Sequence, residues 1–340
     1  MLICCAFLGC TKAGPIDPNL LDIVLLDGGA GDDAGVDAGF DAGVFTWREV
    51  APCPLARFEP MGVAVGGKLL VMGGFTSDTL AYTRRIHAYD PVTDTWTERA
   101  QLPGSPEHSG TALNGSTLYV AGGLDPINGS VWVLDTAADT WSGGTNLTIP
   151  RAAMALVFES GRLHALAGLA PDNFTDLDAH SVLDLSGDAG WVDQPGNVPN
   201  PRNHLGYGLI GNVIYLAGGR HHWDEGAGNQ TTLSGFDLDA GVWLSGLPDM
   251  PDYGRSEIGG STFAHRGKLY VVGGAKNPAQ PTADVLVYDP ATNAWSKLPP
   301  LPGPRKGPAA AGVGNQIIVT TGSPTGTDPV TTTWVGCCVP

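Results

Sequence analysis

The chain has 340 residues, of which 49 are glycine and 15% are charged, a composition that favours a turn-rich all-β protein over a helical one. Its formal net charge of −16 argues against a nucleic-acid-binding surface, because phosphate contacts require lysine and arginine. No apolar run reaches about 20 residues, so the sequence predicts no transmembrane helix.

Residues 1–10 are largely apolar and end in Phe7-Leu8-Gly9-Cys10. This ending resembles the end of a bacterial lipoprotein signal, in which a small residue precedes the cysteine that is lipidated. The resemblance implies a signal segment over 1–10, lipidation at Cys10, and contact with a membrane through that lipid alone. The alternative interpretation is a hydrophobic start that contains three incidental cysteines.

Residues 11–44 form an acidic tract rich in Asp, Ala and Gly, with no Lys or Arg between 14 and 44. Such a composition cannot bury a core, so the tract is predicted to be a disordered linker. A flexible spacer is what a lipid anchor and a folded head require between them. The remaining residues, 45–340, are enough for one folded domain with a well-buried centre.

Residues 45–340 repeat one pattern six times. A tryptophan recurs about every 50 residues, a period typical of one four-stranded unit repeated around an axis, at Trp47, Trp96, Trp141, Trp191, Trp243 and Trp295. About midway through the repeat that follows each tryptophan lies a pair of small residues, at Gly73-Gly74, Gly122-Gly123, Ala167-Gly168, Gly218-Gly219, Gly273-Gly274 and Thr321-Gly322. Short β-type runs bounded by Gly, Pro, Asp and Asn surround these marks, so strands are predicted throughout.

The repeat resembles that of the kelch family. That pattern has an arginine near its start, a double glycine after the second strand, Tyr-Asp-Pro after the third and a tryptophan in the fourth. The arginine occurs here at Arg57, Arg151, Arg202, Arg255 and Arg305. The second repeat departs from the pattern, because Glu107-His108 stands there instead. The resemblance implies an all-β fold, a six-bladed β-propeller.

The ends of the domain predict how the propeller closes. Trp334 falls where other repeats carry the third strand, and no fourth strand follows it in phase. Residues 45–50 form a fourth strand without a repeat of their own, and pairing the two would remove exposed sheet edges. We therefore expect a closing blade shared by N- and C-terminal strands. This antiparallel pairing separates Cys53 from Cys337 and Cys338, so it predicts no bridge to Cys53 and leaves a vicinal Cys337–Cys338 bond open.

A binding face is expected where two sets of loops meet. One set enters the first strands and carries the arginines, and the other joins second to third strands and varies most in length. Arginines that converge near the axis would form an anion site, since guanidinium groups suit carboxylate or sulfate. The alternative is structural, with each arginine bound to loop carbonyl groups or a nearby carboxylate.

The fourth repeat has the most unusual loop, with His221, His222 and Trp223 near His204. Trp223 could stack on a sugar ring, and the imidazoles together with Glu107 and His108 could transfer protons or hold a metal. The alternative is a solvated polar loop. No Cys-x-x-Cys or Cys/His metal spacing occurs, so neither a metal site nor a cofactor is predicted.

These features favour a binding module that engages a glycan or a protein through the arginine-bearing face. Because no complete catalytic motif is present, the sequence predicts a binder rather than an enzyme. The first alternative is an exported sugar-modifying enzyme resembling sialic acid epimerases, with Glu107 and His108 as its catalytic pair. The second is a structural scaffold subunit. The lipoprotein resemblance implies export to a bacterial cell envelope, on the outer membrane or outside the cell.

Overall fold

A computed structural model of the chain describes residues 44–339, except 78, 105–106, 125, 223–227 and 277–278. The predicted signal segment, with Cys10, and residues 11–43 of the predicted linker lie outside the described residues, as does Trp223. The first strand begins at Val44, one residue before the predicted start of the folded domain.

The described residues form β-strands and no α-helix, apart from a 3-10 turn at Gly259–Ser261. The strands in chain order are β1 Val44–Val50, β2 Met61–Val65, β3 Lys68–Met72, β4 Ile86–Asp90, β5 Thr95–Arg99, β6 Gly110–Asn114, β7 Thr117–Ala121, β8 Val131–Asp135, β9 Thr140–Gly143, β10 Ala155–Glu159, β11 Arg162–Leu166, β12 His180–Asp184, β13 Trp191–Asp193, β14 Gly206–Ile210, β15 Val213–Ala217, β16 Leu233–Asp237, β17 Val242–Trp243, β18 Thr262–His265, β19 Lys268–Val272, β20 Ala275–Lys276, β21 Gln280–Pro281, β22 Val285–Asp289, β23 Ala294–Leu298, β24 Ala309–Val313, β25 Gln316–Thr320 and β26 Thr333–Val339.

Within the described part of the chain, these strands form six four-stranded antiparallel sheets, which are the blades of a propeller. Blades 1 to 5 each take four strands in chain order: β2-β3-β4-β5, β6-β7-β8-β9, β10-β11-β12-β13, β14-β15-β16-β17 and β18-β19-β22-β23. A two-stranded ribbon, β20-β21, projects from blade 5. The predicted six-bladed all-β propeller is therefore confirmed.

Blade 6 closes the ring with strands from both ends of the domain, in the order β1-β26-β25-β24. In the β1–β26 pairing, Trp47 lies opposite Gly336 and Glu49 lies opposite Trp334. Trp334 also faces Val319 of β25, which makes β26 the third strand of the blade and β1 the fourth. The predicted closing blade shared by both termini is thus correct.

The hydrophobic core lies between blades rather than in one central mass. Tyr270 of blade 5, for example, shares a buried cluster with Ile317 and Trp334 of blade 6, and Phe45 belongs to the same cluster. Equivalent clusters fill the other blade-to-blade interfaces. A sheet in this arrangement buries both faces only when its neighbours are present, which is why the repeats are stable as a closed ring.

One prediction about the cysteines, that Cys53 forms no bridge, agrees with the structure. Cys53 is buried and free, as expected, whereas Cys337 is disulfide-bonded. The side chain of Cys338 lies outside the described part of the structure, so the vicinal bond stays a prediction. Among the described residues no helix is long and apolar enough to cross a membrane.

Candidate functional site

Six equivalent residues, one from each blade, meet around the axis where the chain enters the first strands. Each lies two positions after the arginine position of its repeat and has a left-handed φ, between 51° and 57°. We call this set the axial ring: Glu59, His108, Ala153, His204, Glu257 and Gly307. Left-handed backbone is uncommon for residues other than glycine, so the turn of the repeat, rather than each residue's own preference, imposes it.

The axial ring surrounds a cavity of about 50 Å³. Two imidazoles and two carboxylates contribute to its wall, alongside apolar groups such as Met61, Met154 and Pro308. A buried cavity needs roughly 10–15 Å³ per water, so this one holds a few waters or a hydrated ion and not a sugar ring. Tyr207 forms part of the wall and donates a hydrogen bond across the axis to the carbonyl oxygen of Thr111, 3.1 Å away.

One side of the ring is held by Glu59. Its Oε2 accepts a hydrogen bond from His108 Nε2 at 2.9 Å, and Lys306 Nζ lies 3.4 Å from Oε1. Burial alone would raise the pKa of Glu59, but the hydrogen bond from His108 and the charge of Lys306 outweigh it and lower that pKa. Burial likewise works against a charged His108, yet the bond to Glu59 raises the His108 pKa above its usual value. The two groups therefore form a buried ion pair.

The other side is held by Arg220, which is 1% exposed. Its Nη1 donates to Glu257 Oε1 at 2.6 Å, and its Nη2 lies 3.2 Å from His204 Nε2. Burial, and then the charge of Arg220, lower the pKa of His204 well below its ordinary value, so His204 is neutral. Burial raises the pKa of Glu257 despite the nearby Arg220.

Glu107 and His108 separate in the structure. His108 belongs to the axial ring, and Glu107 lies one position earlier, where other repeats have the residue that follows the arginine. Glu107 is 2% exposed, accepts a hydrogen bond from the Gly74 N–H at 3.1 Å, and is absent from the cavity wall. Burial raises its pKa to about 7. The structure therefore corrects the assignment of these two residues to the arginine position, and it does not bring them together as a catalytic pair.

The five repeat arginines are turned into their own blades, and the expectation that they converge on a ligand near the axis is corrected. Arg57, Arg151, Arg202, Arg255 and Arg305 are each at most 5% exposed. Arg202 donates to the carbonyl oxygens of Leu216 at 2.9 Å and Gly218 at 2.5 Å, two groups of its own second strand and glycine pair. Arg57, Arg151 and Arg255 bond to backbone carbonyl oxygens in the same way.

Arg305 differs from the other four in its contacts. Its guanidinium carbon lies 4.1 Å from the centroid of the Trp334 ring, and its Nη1 donates to the Pro304 carbonyl oxygen. The arginines therefore follow the structural alternative, in which guanidinium groups satisfy buried carbonyl oxygens of each blade.

The three histidines of the fourth repeat that the sequence grouped together lie in different places. His204 lines the cavity, whereas His221 bonds to Asn200 Oδ1 at 2.6 Å and the half-exposed His222 stacks on Phe174 with ring centroids 4.6 Å apart. The two loop histidines thus belong to the outer face and do not join His204 in one site.

Four charged residues at the axis were not predicted from the sequence: Glu59 and Glu257 of the axial ring, and Arg220 and Lys306, which contact them. The signal that could have found the two glutamates is positional. Aligning the five repeats that have the arginine and reading two positions further gives five members of the axial ring, and His108 is at the equivalent position of the second repeat. Arg220 carries no such signal, since its position is apolar or small in the other repeats, and Lys306 carries none because the residue after the arginine varies from Phe58 to Glu107.

The loops that join second to third strands form the outer part of the same end of the propeller, which we call the loop face. Among its described residues, three large apolar side chains are exposed: Leu80 by 52%, Tyr82 by 42% and Phe174 by 64%. The first two lie in blade 1 and the third in blade 3. Between these blades the corresponding loop of blade 2, from Ala121 to Val131, is shorter than those of blades 1 and 3.

Comparison with known proteins supports the repeat assignment. Residues 62–103 and 259–302 match the model of the Kelch motif. The chain is 27% identical over 282 residues to Kelch-like protein terF of Aspergillus terreus, covering 77% of this chain and 60% of that protein. It is 25% identical over 243 residues to Kelch-like protein 23 of Homo sapiens, covering 68% of this chain and 39% of the relative.

A third relative is covered more fully along its own length. Kelch domain-containing protein 3 of Rattus norvegicus is 26% identical over 305 residues, which span 77% of this chain and 76% of that protein. The chain spans less than two thirds of the length of the other two relatives. The blades, the glycine pairs and the motif matches agree. The chain is therefore a six-bladed β-propeller in which residues 62–103 and 259–302 match the Kelch motif.

Proposed function

We propose that this propeller is a protein-binding module whose loop face holds one partner. The observation that carries the proposal is the exposure of Leu80, Tyr82 and Phe174 on that face. Aromatic side chains are prominent among the residues that carry the binding energy of protein interfaces, and each large apolar side chain fully buried from water is worth about 1.5–3 kcal/mol. The three lie on loops attached to a rigid ring, which lowers the entropic cost of binding.

The geometry supports a protein partner more than a small sugar. The repeat arginines are occupied by backbone carbonyl oxygens, and the axial cavity holds only a few waters. An epimerase-like activity would need both an open pocket and a free anion-binding group in it. The second candidate is a glycan bound on the loop face, because Phe174 could stack on a sugar ring.

A peptide selection tests the proposal. The full chain is immobilised and used to select from a phage-displayed random peptide library, and the enriched peptides are measured against a Leu80→Ser/Tyr82→Ser/Phe174→Ser variant. We expect this variant to bind them at least tenfold more weakly.

The matched control replaces exposed apolar residues away from the loop face, Val92→Ser/Val192→Ser/Val242→Ser, and is expected to bind like the parent. Equal losses in the two variants would contradict the proposal. Binding only to a glycan array, lost in the loop-face variant, would replace the protein partner by a carbohydrate.

We further propose that the module works outside the cell, tethered through Cys10 and the acidic linker. The support is the lipoprotein-like ending of residues 1–10 and the composition of 11–44. Expression of the full chain with an alkyne-tagged fatty acid should label the protein, and Cys10→Ser should abolish the label. Labelling that persists in Cys10→Ser would refute the tether.

A further inference from the structure

Three side chains of the axial ring come from blades 2, 4 and 5 and approach one another at the axis. His108, His204 and Glu257 each present one nitrogen or oxygen atom, and these atoms all lie within 4.8 Å of one another. Of these, His204 Nε2 lies 3.7 Å from Glu257 Oε2. Ligand atoms around a tetrahedral zinc ion are about 3.4 Å apart, so rotamer-scale adjustments are sufficient to enclose an ion.

The cavity wall has the chemistry of a cation site. Glu59, Glu257, His108 and His204 line it. Arg220, which contacts both Glu257 and His204, and Lys306, which lies beside Glu59, are absent from the wall. Glu257 is 5% exposed, and its Oε2 accepts no hydrogen bond from the described residues, although Arg220 holds Oε1. A buried carboxylate oxygen without a donor is costly, and a metal ion would satisfy it.

Asn203 orients the imidazole of His204. Its Nδ2 donates to Asp176 Oδ1 and to the His222 carbonyl oxygen, so its Oδ1 is left to accept from His204 Nδ1. His204 therefore carries its proton on Nδ1 and a lone pair on Nε2, which accepts a hydrogen bond from Arg220 Nη2 at 3.2 Å and lies 3.7 Å from Glu257 Oε2. An ion bound to Nε2 would replace that hydrogen bond, while Arg220 Nη1 keeps its bond to Glu257 Oε1. Metal-binding histidines are held in this way, with the second ring nitrogen bonded to a fixed acceptor.

His108 has a similar support on the other side of the ring. Glu59 Oε2 accepts from His108 Nε2 at 2.9 Å, and Lys306 in turn lies beside Glu59. A carboxylate bonded to one imidazole nitrogen is a usual second partner of a metal-binding histidine. Because Glu59 holds Nε2, the nitrogen that would bind the ion is Nδ1, with the ion in place of the proton that this nitrogen carries in the ion pair.

We propose that His108, His204 and Glu257 bind one divalent transition-metal ion, such as zinc, at the centre of the axial ring. Two imidazoles and one carboxylate suit zinc or ferrous iron better than calcium or magnesium. The cavity of about 50 Å³ leaves room for a water on the ion. The bound ion would connect blades 2, 4 and 5 across the axis.

Metal titration of the full chain tests the proposal. The protein is stripped with EDTA, dialysed and titrated with ZnCl₂ by calorimetry at neutral pH, and its thermal unfolding is followed with and without zinc. We expect one equivalent to bind and the melting temperature to rise, because an ion that binds only the folded state stabilises it. Glu257→Gln and His108→Gln should each weaken binding at least tenfold.

His221→Gln/His222→Gln is the matched control, since these imidazoles lie on the outer face, and it should bind zinc like the parent. If Glu257→Gln fails to fold with Arg220 left unpaired, His108→Gln decides, because it keeps the Arg220–Glu257 pair intact.

The electronic spectrum of the cobalt complex separates the ligand classes. Imidazole and carboxylate ligands give d–d bands alone, and thiolate charge-transfer bands would assign the metal to cysteines and overturn the proposal. The proposal is equally overturned if the folded parent binds no zinc, or if zinc binding survives in both ligand variants.

Discussion

At the scale of single residues, the two members of each glycine pair have different conformations. The first position has φ between 57° and 73° in all six repeats, a left-handed value that other residues tolerate at a cost, as Ala167 and Thr321 do. The second position has φ between 82° and 138°, which only glycine adopts readily, and it is glycine in every repeat. A Cβ on Gly74 would also lie 2.9 Å from the Phe58 carbonyl oxygen.

A second residue-scale feature is a buried histidine pair in blade 3. His164 Nδ1 and His180 Nε2 are 3.0 Å apart, and both residues are at most 5% exposed. Burial lowers the pKa of His164 to about 4 and, together with the neighbouring His164, that of His180 to about 3. The unfolded chain takes up these protons near pH 6.5, so it binds more protons than the folded chain between about pH 4 and 6.5.

The histidine pair therefore predicts acid destabilisation. As the pH falls from 6.5 to 4, each histidine should reduce the free energy of unfolding by up to about 1.4 kcal/mol per pH unit. A His164→Gln/His180→Gln variant lacks this contribution, so its stability relative to the parent should improve steadily on acidification. Urea unfolding of both proteins across this pH range measures the difference, and a pH-independent difference would contradict the assignment.

At the scale of elements, the recurrent tryptophans connect neighbouring blades by hydrogen bonds as well as by packing. The indole Nε1 of Trp96 donates to the Ala51 carbonyl oxygen at 2.8 Å, and that of Trp295 donates to the Pro248 carbonyl oxygen at 3.0 Å. Trp47, Trp141 and Trp191 make equivalent bonds to the loop that precedes their own blade. Trp243, on the short strand β17, is the exception: its Nε1 finds no acceptor among the described residues.

This difference gives a matched pair of substitutions. Trp96→Phe removes a hydrogen bond and some packing, whereas Trp243→Phe removes similar packing only. Since a net hydrogen bond is worth about 1 kcal/mol, Trp96→Phe should lower the free energy of unfolding by about that much more than Trp243→Phe. Equilibrium denaturation of both variants measures this, and equal losses would show that the indole bond adds nothing to blade packing.

At the scale of the whole molecule, the ring depends on the β1–β26 pairing, because β1 contributes Phe45 to the blade 5–blade 6 core and Val50 to the blade 6–blade 1 core. The pairing is tight at one point. Gly336 lies against the Phe45 and Trp47 rings, and a Cβ there would come within 2.5 Å of Phe45 and 2.6 Å of Trp47. Both rings pack on the blade 5–blade 6 core, so neither can move without disturbing it.

Gly336→Ala should therefore loosen the closure and cost about 1–3 kcal/mol, as overpacking typically does. Gly143→Ala is the control, since Gly143 also lies in a strand but has nothing within 4 Å of its Cβ position. It should be neutral or gain up to about 1 kcal/mol. Thermal unfolding compares the two, and limited proteolysis should release the N-terminal strand faster in Gly336→Ala alone. Similar stability of the two variants would mean that the closing strand is not tightly held.

The sequence by itself determined the fold of this protein. The spacing of Trp47 through Trp295, the glycine pairs and the unmatched strand at 45–50 predicted six blades and a closing blade shared by both termini, and both features are present. The physical reason is that blade formation depends on local turn conformations and on strand pairing within about 50 residues. Each repeat contains both the turn residues and the strand residues that this requires.

Tertiary structure alone decided where the chemistry lies. The arginines looked like a ligand site from their periodicity, yet their carbonyl partners are backbone atoms that no residue pattern reveals. Conversely, His108, His204 and Glu257 are far apart in the chain and share no spacing that indicates a metal site. They meet because each blade delivers one residue to the axis with the same left-handed turn. Side-chain direction and neighbours across the ring depend on that closed geometry, which exists only once all six blades have packed.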